Sequence, residues 1–178
     1  MSENEIISRV LKNERAAQAL LYKKYQTVWY MISLRYNKNK ADAQDALQNA
    51  LIKIFSKINQ FDVEKGNFKA WSCKVVVNEN LMLLRKKGNS FKIDDIEEVA
   101  FVPNKTESAL DMLSAEELTK MIQTLPNGYR TVFNLYVIEG YSHQEIAQLL
   151  DISIGASKSQ LFKSRKMLQK KFEALLQD

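Results

Sequence analysis

An all-α fold, two small helical domains joined by a linker with a helix-turn-helix in the second, is what this sequence predicts. Three observations carry the prediction. Glycine and proline number only 5 and 2 in 178 residues, β-like alternation is absent, and apolar residues recur at helical spacing almost throughout. Charge divides the chain: residues 1–87 carry 16 basic and 8 acidic side chains, residues 88–112 carry 2 and 6, and residues 113–178 carry 8 and 7. The stretch 141–168, YSHQEIAQLLDISIGASKSQLFKSRKML, reads as a helix, a tight turn and a second helix rich in lysine.

Composition bounds the function. With 46% hydrophobic and 26% charged residues the chain is globular rather than disordered. A net charge of +5 and a pI near 9.2 suit a polyanionic partner. One cysteine, Cys73, excludes an internal disulfide and a cysteine-rich zinc site, and one histidine, His143, argues against a zinc or Ser-His-Asp centre. The sequence offers no P-loop, catalytic triad or metal-ligand cluster, so neither an enzyme nor a metal or cofactor is expected. No apolar run approaches the roughly 18 residues needed to span a bilayer. The N-terminus, MSENEIISRV, is acidic and lacks the apolar core of a signal peptide. A reducing, cytoplasmic setting without membrane insertion is the expectation.

In the first domain, residues 1–87, the best-defined helix starts near Asn39, an N-cap residue with Asp42 three positions later. Ala43, Ala46, Leu47, Ala50, Leu51, Ile54 and Ile58 then form one apolar stripe. Ile52 falls almost opposite it, on the side that carries Asp45, Gln48 and Asn49. A single exposed isoleucine is ordinarily without meaning. The alternative is that an apolar anchor ringed by amides and a carboxylate docks on a protein partner.

Residues 59–67, NQFDVEKGN, form a polar loop holding Phe61 and Gly66. The helix after it, 68–87, has Trp71, Val75 and Met82 on one side and Val77, Leu81 and Leu84 on another, and ends in Arg85-Lys86-Lys87. Trp71, at helical spacing from Phe68 and Val75, is expected in the core. Asn78, an amide in so apolar a helix, must cap a buried polar group or point outward. Cys73 is expected to be buried and inert.

Residues 88–112 have the composition of a connector. Gly88-Asn89-Ser90 and Pro103-Asn104 break helical patterns, and Asp94, Asp95, Glu97 and Glu98 cluster between them. Adjacent carboxylates on such a segment cannot hold octahedral Mg²⁺, so a solvated linker is expected.

In the second domain, residues 113–178, Ile146, Ala147 and Leu150 give the first motif helix an apolar face. Asp151-Ile152-Ser153 makes the turn, with Ser153 as N-cap of the second helix. From Lys158 to Lys171 there are six basic residues and no acidic one. Such a helix enters the DNA major groove, where side chains meet base edges and cations meet phosphates. Lys158, Phe162, Arg165 and Lys166 lie close together by helical spacing. His143 is expected to be exposed and without a role.

These residues resemble the extracytoplasmic-function sigma factors, the minimal two-domain specificity subunits of bacterial RNA polymerase, from about residue 20 to residue 176. LYKKYQTVWYMISLRY, DAQDALQNALIKIF and FDVEKGNFKAWSCKVVVN look like that family's region 2. LPNGYRTVFNLYVIEGYSHQEIAQLLDISIGASKSQL looks like its region 4. Two motif sets in the right order are far more specific than a helix-turn-helix alone.

The resemblance implies a factor that binds core RNA polymerase, recognises −35 and −10 promoter elements and promotes strand opening. It assigns Asp45, Gln48, Asn49 and Ile52 to the clamp helices of the largest catalytic subunit, and it adds the polymerase flap region as a second contact. It gives the −10 element to Phe61, Asn67, Lys69 and Asn78 as readers, with Lys74, Arg85, Lys86 and Lys87 on phosphates. A base would leave the stack and enter a protein pocket. It gives the −35 duplex to Lys158, Ser159, Phe162, Lys163, Arg165 and Lys166. Promoter DNA is thus a partner, and so is an anti-sigma protein of the kind that often covers these surfaces in the family.

Three departures stand out. Asp151 replaces a glycine common in relatives, Ser157 replaces a common valine, and Ile154 and Phe162 are apolar near the groove, where they suit thymine methyls. The rival reading is a stand-alone helix-turn-helix regulator that binds a palindrome as a dimer. The asymmetric face of Ile52, Asp45 and Gln48 suits a heterologous partner instead. A nucleic-acid-processing enzyme would need carboxylates gathered on rigid elements.

Overall fold

The computed structural model describes residues 1–88, 91 and 114–175, and the cluster Asp94, Asp95, Glu97 and Glu98 lies outside them. The described residues are helical, with no strand among them, as expected. The chain divides into two compact units, Met1–Leu84 and Arg85–Asp178. Leu84 is the last buried side chain of the helix that ends the first unit, and Arg85, Lys86 and Lys87 beyond it are exposed.

The first unit comprises α1 (Glu3–Leu11), α2 (Arg15–Tyr36), α3 (Lys40–Lys57), a 3₁₀ turn (Ile58–Gln60) and α4 (Phe68–Lys86). A capping box opens α1: Ser2 Oγ accepts from the Glu5 amide while the Glu5 carboxylate accepts from the Ser2 amide. At α3, Asn39 Oδ1 accepts from the Asp42 amide at 2.8 Å, where the sequence placed the cap. Ala43, Ala46, Leu47, Ala50, Ile54 and Ile58 of the expected stripe are buried and Leu51 is half-buried. The three alanines let α3 pack closely on α2.

Helix α4 departs from expectation. Val76, Val77, Leu81 and Leu84 are buried with Phe68 and Ser72, Trp71, Cys73 and Val75 are only half-buried, and Met82 is 53% exposed. Only one face of this apolar helix is covered within its unit. The buried amide is Asn80, not Asn78, which is exposed. Asn80 Nδ2 donates to Ser33 Oγ (3.2 Å) and Val76 O (2.8 Å), and its Oδ1 accepts from Asn37 Nδ2 at 2.6 Å. Trp29 Nε1 donates to Ser72 Oγ at 3.0 Å nearby. These bonds fix α4 against α2 in one register, since losing any partner would leave buried polar groups unsatisfied.

The second unit contains α5 (Ala115–Gln123), α6 (Asn127–Phe133), a π-helical turn (Asn134–Ile138), α7 (His143–Leu150) and α8 (Ile154–Leu175). Capping boxes Ser114/Glu117 and Ser142/Glu145 set the starts of α5 and α7. Ile122, Leu125, Val132, Phe133, Leu135, Ile146, Leu150, Leu161 and Leu168 form the core. Arg130 lies within it, 1% exposed, donating to the carbonyls of Leu125 (2.8 Å) and Gln123 (3.4 Å) and to Asn127 Oδ1. It thereby satisfies orphan carbonyls at the end of α5. Burial pushes its pKa down to about 10, still high enough to keep the charge at neutral pH. Behind α8, the buried Phe91 accepts a hydrogen bond at its carbonyl from Gln160 Nε2 at 2.8 Å. Gly128 allows this arrangement, because a Cβ there would lie 2.6 Å from Gln160 Oε1.

Candidate nucleic-acid interface

In the first unit, Asp45, Gln48, Asn49 and Ile52 are all exposed on one side of α3, and Ile52 is 64% exposed. Spacings of three, four and seven residues put them on one face, opposite the buried stripe. An isoleucine held this far out adds nothing to the core.

The loop between the 3₁₀ turn and α4 forms a cavity of about 330 Å³ whose lining includes Phe61, Asp62, Lys65, Asn67, Trp71 and Lys74. Its walls are aromatic. Phe61 meets Trp71 at 5.7 Å between centroids, and both rest on the buried Phe68 at 5.4 and 5.6 Å. Asn67 Oδ1 accepts from the Ala70 amide at 2.8 Å, so this oxygen caps α4. An ion pair between Lys65 and Asp62 (3.2 Å) braces the rim.

Of the residues expected to read the −10 element, Phe61 and Asn67 line this cavity, whereas Lys69 and Asn78 are exposed outside its lining; Lys74, expected on phosphate, lines it too. Arg85, Lys86 and Lys87 are exposed at the end of α4. Trp71, expected in the core, is half-buried and forms a wall. The signal was present in the spacing: Asn67, Trp71 and Lys74 are four and seven residues apart and share one helical face.

The second unit holds the helix-turn-helix. Ile146, Ala147 and Leu150 are buried, and Asp151 ends α7 in the left-handed conformation (φ 54°, ψ 51°). Aspartate tolerates this region better than most residues, and the Ile152 amide closes the turn on Ala147 O at 3.1 Å. Ser153 Oγ accepts from the Ala156 amide at 3.0 Å, capping α8 as expected.

On α8, Lys158 and Lys166 are exposed, and Phe162, Lys163 and Arg165 are half-buried. Ser159 departs from its expected place on the DNA face: it is 6% exposed, on the packed side with Ala156 and Gln160. His143 departs as well. It is half-buried, its Nδ1 lies 2.9 Å from Ser157 Oγ, and its ring stacks on Tyr136 at 4.4 Å. Burial first, and then the charges of Lys158 and Arg165, hold its pKa below the ordinary 6.5. Arg165 in turn lies 5.8 Å from the Tyr136 ring centroid, within cation–π reach. Sequence reasoning missed Tyr136, since a π-helical turn shifts side chains off the 3.6-residue pattern.

Fold and surface together define a helix-turn-helix DNA-binding protein with a second, separate helical unit. Comparison with known families narrows this. The sigma-70 region 2 model matches residues 21–90, and the sigma-70 region 4 model matches residues 115–168. The chain is 29% identical to the ECF RNA polymerase sigma factor SigW of Bacillus subtilis, covering 95% of this chain and 96% of that protein. It is 25% identical to the ECF RNA polymerase sigma-E factor of Haemophilus influenzae, covering 99% and 98%. The solved structure of CnrH in complex with the cytosolic domain of CnrY shares the fold, with a TM-score of 0.50 at 18% identity over 95% of this chain and 96% of that one. The chain belongs to the extracytoplasmic-function group of the sigma-70 family and is a promoter-recognising sigma factor of RNA polymerase. Matches in both units do not favour a stand-alone regulator.

Proposed function

We propose that the two units divide promoter recognition between them. The first unit binds core RNA polymerase through Asp45, Gln48, Asn49 and Ile52, against the clamp helices of the largest subunit, and captures an unstacked −10 base in the cavity of Phe61, Asn67, Trp71 and Lys74. Lys69, Asn78, Arg85, Lys86 and Lys87 hold the flanking strand. The second unit lays α8 in the major groove of the −35 duplex with Lys158, Phe162, Lys163, Arg165 and Lys166, and it meets the polymerase flap region. An anti-sigma protein that restrained this factor would cover the same surfaces.

The observation that carries this reading is the aromatic-walled, lysine-rimmed cavity in the unit matched by region 2. Unstacking a base costs a few kcal/mol, and each aromatic contact returns about 1–3 kcal/mol regardless of sequence. The lysines draw in the backbone. The factor is not itself an enzyme, because the phosphoryl chemistry belongs to the polymerase, and it works in the cytoplasm where polymerase and chromosome meet. No helix among the described residues is long and apolar enough to cross a membrane.

The test is run-off transcription from a genomic library with purified protein and core polymerase. Promoter-specific transcripts that disappear with Phe61→Ala are the expected result. Failure to associate with core enzyme would overturn the reading.

A further inference from the structure

The −10 cavity is tied to the N-terminal helix by a continuous path of rings. Tyr25 on α2 is buried, stacks on Trp29 with centroids 5.5 Å apart, and packs on Phe68 at 5.6 Å. Phe68 meets Phe61 edge-on (5.4 Å, 87°) and Trp71 at 5.6 Å, and those two rings wall the cavity. At the other end of the path, the Tyr25 hydroxyl donates to Glu3 Oε2 on α1. Lys24 Nζ lies 2.7 Å from the same oxygen. Burial opposes ionisation of Glu3, but the hydrogen bonds from Lys24 and Tyr25 outweigh it and hold its pKa below the ordinary 4.5. Glu3 is therefore a carboxylate at neutral pH, and its bond to the hydroxyl is charge-assisted.

Phe68 is fully buried and packs against the rings of Tyr25, Phe61 and Trp71. Of these three, Tyr25 is the one whose side chain is pinned by a hydrogen bond to another helix among the described residues. Aromatic pairs prefer defined edge-to-face and offset geometries, so fixing one ring restricts the next. We infer that Glu3 is a positioning residue for the −10 cavity: by pinning Tyr25 it orients Phe68, against which Phe61 and Trp71 stand to receive the unstacked base. The inference rests on the proposed role of that cavity. It gives the N-terminal helix a part in strand opening although its residues do not line the cavity.

The test uses full-length protein with core polymerase on a promoter carrying 2-aminopurine at the unstacked position, whose fluorescence reports base capture. Glu3→Ala should slow opening roughly tenfold, the scale of one charge-assisted hydrogen bond. Core binding and −35 duplex affinity should stay at wild-type level. Tyr25→Phe, which keeps the ring and loses the hydroxyl, should reproduce the defect. Glu3→Gln, which still offers an oxygen to the hydroxyl, should recover most of the rate. Opening at the wild-type rate in Glu3→Ala and Tyr25→Phe overturns the inference, as does a parallel loss of opening, core binding and −35 affinity. Phe61→Ala separates the two levels of argument. If it slows opening while Glu3→Ala does not, only the inference fails; if it has no effect, the cavity's role fails and the inference with it.

Discussion

The imidazole of His143 lies against the ring of Tyr136, centroids 4.4 Å and planes 22° apart, with Nδ1 2.9 Å from Ser157 Oγ. This joins the π-helical turn, α7 and α8 at one point beside the cations Lys158 and Arg165. Partial burial first, and then those cations, disfavour a protonated ring.

A pH dependence follows. The folded imidazole titrates below the ordinary 6.5, so the unfolded chain takes up the proton first. The stabilisation is complete above that value, declines as pH falls through it, and levels off once the folded ring also protonates. Denaturant unfolding at pH 7.5 and 5.5 should show the loss. His143→Gln should flatten that part of the profile, and the difference between the two proteins separates it from carboxylate effects.

Ile52→Glu tests the proposed polymerase face. At 64% exposure the side chain contributes little to folding, so unfolding should shift by no more than about 0.5 kcal/mol. Affinity for core polymerase should fall at least about tenfold, as expected for losing an apolar anchor at an interface centre. Fluorescence anisotropy with labelled protein reads both association and its loss.

Lys158 and Ser159 are neighbours with opposite expectations. Lys158 is exposed, so Lys158→Ala should weaken −35 binding and reduce the slope of log affinity against log salt by about 1. Ser159 is buried, so Ser159→Ala should leave that slope unchanged. Titration of a −35 duplex at several salt concentrations measures both.

Arg130→Met should destabilise the second unit by about 2–4 kcal/mol, because it removes the donor to Leu125 O and Gln123 O from a buried site. Chemical denaturation of the full chain gives the loss. Affinity for a −35 duplex should fall with it once a sizeable fraction is unfolded.

Local features were legible in the sequence because their chemistry is local. The caps at Asn39 and Ser153 depend on side chains a few residues from the amides they bind, and both form as expected. The left-handed Asp151 is likewise a property of one residue and its turn. The α3 stripe and the outward position of Ile52 follow from 3.6-residue periodicity alone. So does the grouping of Asn67, Trp71 and Lys74, although seeing that group as a cavity wall required Phe61 to arrive from the loop.

The sequence by itself determined the helical class, the caps and turn of the recognition motif, and which residues share each helix face. Only the tertiary structure decided which faces are covered. Periodicity ranks Met82 with Val75 and makes Asn78 the conspicuous amide of α4, yet Met82 is exposed and Asn80 is the residue locked between helices. The family resemblance puts Ser159 on one face with Lys158, and the position of His143 at a helix start suggests exposure, yet the packing of α8 buries the serine and brings Ser157 to the imidazole. The reason is physical: a helix's own sequence fixes the angles between its side chains, but the direction of the core is set by helices distant in the chain, through burial and hydrogen bonds that exist only once they meet.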